Sequence, residues 1–329
     1  MSLPPANHPG RGAVILLTAL CSLLVGCDER GGSSDEPAVV GSFGRTGSGD
    51  GEFMYPRAID ICPDGSIWVV DKTGRVQHLA AGKGAKDMGG EFLGAFRMPL
   101  IEAGKPTGLT VGPDGNIYMA DTHYHRVMVF SPSGTLVRQF GKFGQGPGCF
   151  IYPTDVAFIE DGPRRRILVS EYGGNDRISV FEEDASGGIR FVRSFGAPGS
   201  GAGELSRPAA LAVDHRRRRL YVADACNHRV AIYDLDCNLV GYIGSPGTQA
   251  GQLRYPYGLA LLADGSLAVC EFGNNRLQIF SPEGKSLRTC GKAGREPGQL
   301  AYPWGLVVDK HNRACVVDAG NNRVQAWQL

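Results

Sequence analysis

The sequence predicts an all-β protein, a six-bladed β-propeller of four-stranded blades closed by an N-terminal strand. Three observations lead to this prediction. A unit of about 48 residues recurs six times, and each unit carries four short strand patterns. The last unit ends one strand short, while a spare strand pattern precedes the first unit, so the two ends of the chain are expected to share a blade.

The N-terminal segment is predicted to be a lipoprotein signal peptide covering residues 1–26. Residues 13–26 form an apolar run that is too short for a typical membrane-spanning helix and suits a signal-peptide core. The run ends in Leu24-Val25-Gly26-Cys27, which resembles the lipobox of bacterial lipoproteins. A plain secretory signal or a buried helix is the alternative interpretation.

The lipobox resemblance implies lipidation of Cys27 and a membrane partner held through that lipid. It also implies a place in the bacterial cell envelope, facing the periplasm or the exterior, and Asp28 points to the inner membrane. Residues 27–37 are then the lipidated cysteine and a flexible, polar tether that contains Gly and Ser. Residues 38–329 remain for the propeller.

The repeated unit is defined by three residue types. A proline opens each unit, and successive prolines are 47 to 55 residues apart. These prolines are Pro56, Pro106, Pro153, Pro208, Pro256 and Pro303. An acidic residue and an arginine, usually five positions apart, follow in every unit. The pairs are Asp71 and Arg75, Asp121 and Arg126, Glu171 and Arg177, Asp224 and Arg229, Glu271 and Arg276, and Asp318 and Arg323. Catalysis would not need six copies, so we interpret the pairs as structural.

Four strand patterns recur inside each unit. In the first unit Ile59 and Ile61 alternate with polar or small residues, and the turn Pro63-Asp64-Gly65 follows. A second apolar run precedes the arginine, a third follows it, and a fourth follows another turn. Four short strands in about 48 residues are typical of a propeller blade.

The segments 227–230, 275–278 and 322–325 read Asn-His-Arg-Val, Asn-Arg-Leu-Gln and Asn-Arg-Val-Gln. With these segments the chain resembles the NHL-repeat family over residues 39–329, and the resemblance implies a six-bladed propeller. The sixth unit stops at Leu329 in its third strand, so Val39–Phe43 is expected to supply the fourth. Such closure removes the open sheet edges of a linear array.

Composition excludes several classes of protein. Lys and Arg number 34 against 33 for Asp and Glu, and a dedicated nucleic-acid binder usually carries a clear basic excess. We therefore expect no nucleic acid partner, although some animal NHL proteins bind RNA, and we expect a monomer.

Seven cysteines follow Cys27, an odd number that cannot all pair within the chain. Cys270 and Cys315 fall in second strands and are expected to be buried.

Function is expected where the blades differ, on one face of the disc. Two kinds of loop form one face of the disc: those that enter the first strand of a blade and those that join its second and third strands. We call this face the top face. Aromatic rings with nearby charges suit a protein partner or a small ligand, and blade-to-blade packing is the alternative. The candidate ligand-binding residues are Arg57, Thr154, Asp155, Glu171, Tyr172, Tyr257, Glu271, Phe272 and Trp304.

An enzyme is the alternative to a non-catalytic binding platform. Some six-bladed propellers of this broad group are amidating lyases, and that resemblance implies a zinc held by three channel histidines. The six first-strand segments contain no histidine, and His123 with His125 lacks a third partner. Lactonase-like chemistry could use Glu171, Glu271 and Asp155 as oxygen ligands. The sequence therefore predicts no metal and no cofactor, assigns no catalytic residue, and leaves a metal-dependent lyase or hydrolase as the alternative.

Two arginine runs mark the opposite, bottom face. They lie in first hairpins where other units have Pro-Asp-Gly or a similar turn, and they are Arg164, Arg165 and Arg166, and Arg216, Arg217, Arg218 and Arg219. Such a patch is attracted to anionic lipid, at about 1 kcal/mol for each basic residue near the surface. Solvated turns, neutralised by nearby acidic residues, are the alternative.

Overall fold

The computed structural model describes residues 38–84, 87–160 and 165–329. These residues form six four-stranded antiparallel sheets, which confirms the all-β, six-bladed propeller. The predicted signal peptide, Cys27, Asp28, the tether and Arg164 lie outside the described residues. Within the described ranges, the structure contains no helix long and apolar enough to cross a membrane.

The strands follow the repeated units closely. In chain order they are β1 Ala38–Phe43, β2 Pro56–Ile61, β3 Ile67–Asp71, β4 Arg75–Gly84, β5 Asp87–Arg97, β6 Gly108–Val111, β7 Ile117–Asp121, β8 Arg126–Phe130, β9 Leu136–Phe140, β10 Tyr152–Ile159, β11 Arg165–Tyr172, β12 Arg177–Glu183, β13 Ile189–Phe195, β14 Pro208–Asp214, β15 Arg219–Asp224, β16 Arg229–Asp234, β17 Leu239–Ile243, β18 Pro256–Leu261, β19 Leu267–Glu271, β20 Arg276–Phe280, β21 Ser286–Cys290, β22 Lys292–Ala293, β23 Gln299–Leu300, β24 Pro303–Val308, β25 Arg313–Asp318 and β26 Arg323–Gln328. Single-turn 3₁₀ helices lie at Thr122–Tyr124, Ala225–Asn227 and Ala319–Asn321.

Blades one to five are β2–β5, β6–β9, β10–β13, β14–β17 and β18–β21, with the first strand of each next to the channel. Blade six is β24, β25 and β26 with β1 as its outer strand. The register of β1 runs from Ala38 opposite Gln328 to Phe43 opposite Val324. The predicted closure by an N-terminal strand is therefore confirmed.

The hydrophobic core is divided into six clusters, one at each joint between neighbouring blades. At the joint of blades one and six, Val69 and Leu79 pack with Val317 and Val324, and all four are fully buried. Burial of such a side chain contributes about 1.5–3 kcal/mol, so each joint holds its two blades together. Because successive side chains of a strand point to opposite faces of its sheet, one set packs in the joint with the preceding blade and the other set packs in the joint with the following blade.

A framework clamp at the top of each joint holds the loop that enters the blade. We define it as the repeated acid and arginine of a blade together with that loop. In blade five the Arg276 Nε donates to Glu271 at 2.6 Å, and the guanidinium also donates to the carbonyls of Thr248, Gln249 and Gln252. The Glu271 side chain is fully buried. The repeated pairs thus act in architecture, as a charge-assisted anchor for each loop.

Blade one carries a longer outer hairpin than the other blades, formed by β4 and β5. The hairpin reaches blade six, where Arg313 Nη1 donates to the Asp87 carbonyl at 2.7 Å. Gly90 has a φ of 91°, and a Cβ there would lie 2.6–2.9 Å from the Phe43 ring of β1. Glycine is required at this close approach. We call this hairpin the blade-one strap.

Candidate functional site

The six inner strands surround a channel with a cavity of about 360 Å³. Arg57 and Trp304 lie at its top end, where the first strands begin. His215 lies at the bottom end, beside the first hairpin of blade four. The top mouth therefore combines side chains from different blades.

Aromatic rings from blades five and six form one cluster at this mouth. Tyr257 stacks on Phe272 with ring centroids 4.8 Å apart, and it lies 4.9 Å from Trp304. Tyr302 extends the cluster outward and is 51% exposed, while Tyr257 is 7% exposed. Tyr257 therefore serves packing as well as the surface of the mouth, and Trp304 and Phe272 offer more accessible rings.

Two guanidinium groups lie on these rings. The Arg57 guanidinium is 5.0 Å from the Trp304 ring centroid, and that of Arg207 is 5.0 Å from Tyr172 and 5.3 Å from Tyr257. Contacts of this kind are favourable cation–π interactions. Burial lowers the pKa of Arg57, and the Arg207 charge lowers it further, against the opposing effects of Tyr55 and Tyr172.

Neither guanidinium forms an ion pair within the described part of the chain. The Nε of Arg57 is buried and has no hydrogen-bond partner there. Each framework arginine, by contrast, has a carboxylate within reach. The top mouth thus carries positive charge that the fold itself does not balance.

Several residues at this mouth have a positive φ, a left-handed backbone conformation that residues other than glycine rarely adopt. Arg207 has a φ of 55°, and Tyr55, Tyr255 and Tyr302 share similar values. The Arg207 N–H donates to Asp176 of the preceding blade at 2.6 Å, which holds the strained conformation. Strain of this kind costs about 1–3 kcal/mol at each position. Because it recurs directly before the opening prolines of blades one, four, five and six, it belongs to the repeated framework.

Below the mouth the wall of the channel becomes polar, but its hydroxyl groups already form hydrogen bonds within the protein. Thr154 Oγ1 lies 2.7 Å from Ser170 Oγ and donates to the Pro208 carbonyl at 2.6 Å. Thr154 is 6% exposed. Thr154 lines the channel, but its hydroxyl ties blade three to blade four, and its role in ligand binding stays a prediction.

Two aspartates from blades one and three lie deeper in the channel. Asp155 accepts from the Leu211 N–H at 2.9 Å, and Asp60 accepts from the Val111 N–H at 2.7 Å. Burial raises the pKa of Asp155 to about 7 and that of Asp60 to about 6. The Asp60 charge adds to the rise at Asp155. Sequence reasoning missed Asp60, although a charged residue inside an otherwise apolar first strand was the available signal.

These aspartates are expected to make stability depend on pH. A carboxyl whose pKa is higher in the folded state binds its proton more tightly when folded, so its contribution to stability falls as pH rises from about 4 to about 7. Asp155→Asn should raise the free energy of unfolding by about 2–4 kcal/mol at pH 8 and change it little at pH 4. Denaturant unfolding at the two pH values measures this. Asp50→Asn, in an exposed loop, is the control, and equal effects of Asp155→Asn at both pH values would contradict the assignment.

Glu171 and Glu271, expected among the ligand-binding residues, do not line the channel. Both are fully buried in framework clamps. Glu171 accepts from Arg177 Nε at 2.7 Å and from the Ile151 N–H at 2.8 Å. They are the repeated acids of their blades, so their carboxylates bind loops, and the structure does not bring them together with Asp155.

The residues that the structure describes contain no group of three His, Cys, Asp or Glu side chains that could hold a metal ion. The His123 Nδ1 accepts from the Lys105 N–H at 3.2 Å, and the His125 Nδ1 lies against the Ile151 carbonyl. A zinc site of three channel histidines does not fit this arrangement. The buried thiols of Cys270 and Cys315 have their pKa raised by burial to about 12, which suits packing and not nucleophilic chemistry.

The bottom-face arginines are partly neutralised. Arg165 pairs with Glu183 at 3.0 Å, and Arg217 pairs with Asp214 at 3.3 Å. Arg216 donates to the Ala263 carbonyl, and Arg219 donates to that of Arg218. Attraction of this face to anionic lipid stays a prediction, with fewer available charges than the sequence indicated.

Comparisons with known proteins agree with this architecture. Residues 104–130, 205–233, 253–280 and 300–327 match the family model of the NHL repeat. The chain is 26% identical over 244 residues to a probable peptidyl-α-hydroxyglycine α-amidating lyase of Caenorhabditis elegans, covering 72% of this chain and 65% of that protein. It is 29% identical over 140 residues to the protein brain tumor of Drosophila melanogaster, covering 43% of this chain and 12% of that protein.

The chain therefore spans less than two thirds of either relative. A solved streptogramin B lyase is 17% identical and superposes with a TM-score of 0.58, covering 87% of this chain and 96% of that one, a likeness of fold. The four matched segments fall on blades two, four, five and six. The chain therefore contains NHL repeats, and they lie in a six-bladed β-propeller.

Proposed function

We propose that the top mouth of the channel binds a ligand that carries a carboxylate beside an aromatic or apolar group. The observation that supports this proposal is the pair Arg57 and Arg207, two guanidiniums on aromatic faces with no carboxylate partner among the described residues. A guanidinium presents a planar fork of donors that matches a carboxylate. The rings of Phe272 and Trp304 would cover the apolar part of the same ligand.

A continuous series of ring contacts joins the two arginines, which supports one binding site and not two. Arg207 lies on Tyr257, Tyr257 contacts Trp304, and Trp304 carries Arg57. The Arg207 charge also affects Arg57 directly. Repulsion between the two guanidiniums in a partly buried mouth is relieved when an anion binds between them.

N-acetylphenylalanine is a suitable probe because it combines a carboxylate with an aromatic ring. We expect saturable binding, with a change in Trp fluorescence, and weaker binding of N-acetylphenylalanine amide. Arg57→Gln and Arg207→Gln should each weaken binding about 10- to 100-fold, since a hydrogen bond to a charged group contributes about 1.5–3 kcal/mol. Arg288→Gln, on the exposed outer strand of blade five, is the matched control and should bind as the wild type does.

Equal binding of the acid and the amide would contradict the proposal, as would unchanged binding by the two variants when both are folded. Cooperative thermal unfolding at the wild-type temperature establishes that they are folded. Because the probe is bound and not converted, this experiment tests the site independently of any catalysis.

Lyase or hydrolase activity at the same mouth is the second candidate. The similarity to an amidating lyase over 72% of the chain favours it. Peptidyl-α-hydroxyglycine ends in a carboxylate, so the binding proposed for Arg57 and Arg207 suits that substrate class too. Conversion of a peptidyl-hydroxyglycine to the peptide amide, followed with and without added zinc, distinguishes an enzyme from a binding platform. No conversion under either condition would remove this candidate.

We also propose that lipid on Cys27 anchors the propeller in the cell envelope, by its bottom face. β1 runs from Ala38 at the bottom of blade six to Phe43 at the top, so the chain enters the propeller from the bottom. The top mouth would then face away from the membrane and toward incoming ligands. Cys27→Ser should move the protein from the membrane fraction to the soluble fraction, and unchanged fractionation would argue against the anchor.

A further inference from the structure

The loop that enters blade two differs from the five other loops of its kind. Those five loops have twelve residues each, begin with glycine, and span 44–55, 141–152, 196–207, 244–255 and 291–302. Each folds back on itself through a parallel bridge, such as Pro246 with Leu253. The loop into blade two, residues 98–105, has eight residues, and none of these bridges involves it. The clamp of blade two therefore holds a shorter loop that lacks the bridged turn of the others.

With the shorter loop, two buried polar atoms in this clamp have no partner in the part of the chain that the structure describes. Elsewhere the loop donates one N–H to the acid, as Ser206 does to Asp224 at 2.7 Å, and supplies carbonyls to the arginine. In blade two, among the described residues, the Asp121 Oδ1 accepts no hydrogen bond and the Arg126 Nη2 donates none. Asp121 is fully buried, so its unpaired oxygen is not compensated by solvent.

Tyr124 occupies the position that asparagine takes in blades three to six. Each asparagine amide donates both to the acid of its blade and to a glycine carbonyl of the loop, as Asn274 does to Glu271 and Gly247. The Tyr124 ring lies 5.3 Å from the Arg126 guanidinium instead. Its hydroxyl accepts from the Ala103 N–H at 3.0 Å, so the ring covers the clamp from the side of the short loop.

The two unpaired atoms define the chemistry of what fits them. Asp121 Oδ1 needs a donor, and Arg126 Nη2 needs an acceptor. A carboxylate offers only acceptors and a cation offers none, whereas a peptide backbone offers an N–H and a carbonyl together. Five copies of the clamp in the same chain bind a glycine-containing loop in this way.

We propose that the blade-two clamp is a docking site for a glycine-containing loop of a partner protein. The loop takes the course that the chain's own loops take in the other joints, with Asp121 accepting an N–H and Arg126 donating to a carbonyl. Tyr124 moves aside when the loop enters. This site lies at the joint of blades one and two, and it does not depend on the ligand site at the channel mouth.

A peptide with the chain's own loop sequence 244–255, acetylated and amidated, is the probe. We expect it to shift the amide signals of residues 121–126 in the full chain. Tyr124→Asn removes the cover and restores the asparagine of blades three to six, so it should tighten binding at least about tenfold. Tenfold corresponds to about 1.4 kcal/mol, the value of one or two hydrogen bonds.

Two controls make the result specific. A peptide with Val at the positions of Gly247 and Gly251 should not bind, because their φ values of 153° and 83° are ones that valine rarely adopts. Arg126→Gln combined with Tyr124→Asn should lose the tightening, and if that protein is not folded, the amide shifts in the single variant locate the site. No saturable binding by Tyr124→Asn, or shifts centred away from residues 121–126, would overturn the proposal.

Discussion

Deletion of residues 38–44 is expected to destabilise the whole propeller and not blade six alone. The deletion removes β1, so β26 becomes an exposed edge and loses a complete strand of partners. The deletion also removes Val40 and Phe43, which are partly buried against the core at the joint of blades one and six. Full burial of such a side chain contributes about 1.5–3 kcal/mol, and partial burial contributes part of that. The midpoint of thermal unfolding should fall by more than about 10 °C.

Circular dichroism against temperature measures this loss. A protein that begins at residue 38 is the control, because it lacks the predicted signal peptide and tether but keeps β1. It should unfold at the same temperature as a protein that begins at residue 27. If the protein beginning at residue 45 unfolds within a few degrees of that control, the ring does not depend on β1 for closure.

Arg276→Met is expected to lower the free energy of unfolding by about 3–5 kcal/mol. It leaves Glu271 buried without its partner, and it frees the carbonyls of Thr248, Gln249 and Gln252. Arg126→Met should cost about 1–3 kcal/mol less, because within residues 38–84, 87–160 and 165–329 Arg126 donates to Asp121 and Gln139 and to no loop carbonyl.

The two substitutions form a matched pair, since they make the same change at the same position of two blades. Urea unfolding of both variants and the wild type gives the difference in free energy. An equal cost for the two variants would mean that the loop carbonyls contribute little, and the clamp would then be a simple ion pair.

The fold could be predicted because its signals are periodic and local. Prolines, turns and alternating apolar residues recur in every unit, and the spare strand at the N-terminus matches the missing one. The blade-one strap could not be predicted from the spacing of units. Its longer hairpin is offset by the loop into blade two, which is four residues shorter, so the first unit has nearly the usual length.

Residues of the candidate site could be predicted only where the position of a residue along its strand determines where its side chain lies. Arg57, Tyr257 and Trp304 follow their prolines directly, so they lie at the mouth as expected. Arg207 precedes its proline, and its side chain reaches the mouth through a left-handed backbone that the sequence did not indicate. Glu171 and Glu271 were misplaced because their role as repeated acids outweighs their position near the mouth.

The direction of β1 decides how the closed ring resists a pull. A force on Ala38, directed away from the bottom face, acts along the strand axis. It therefore shears the hydrogen bonds between β1 and β26 together instead of opening them one by one. The Phe43 ring, held against Gly90 of the blade-one strap, obstructs sliding at the far end of the strand. Tension applied at Ala38 therefore loads the closure of the ring in shear.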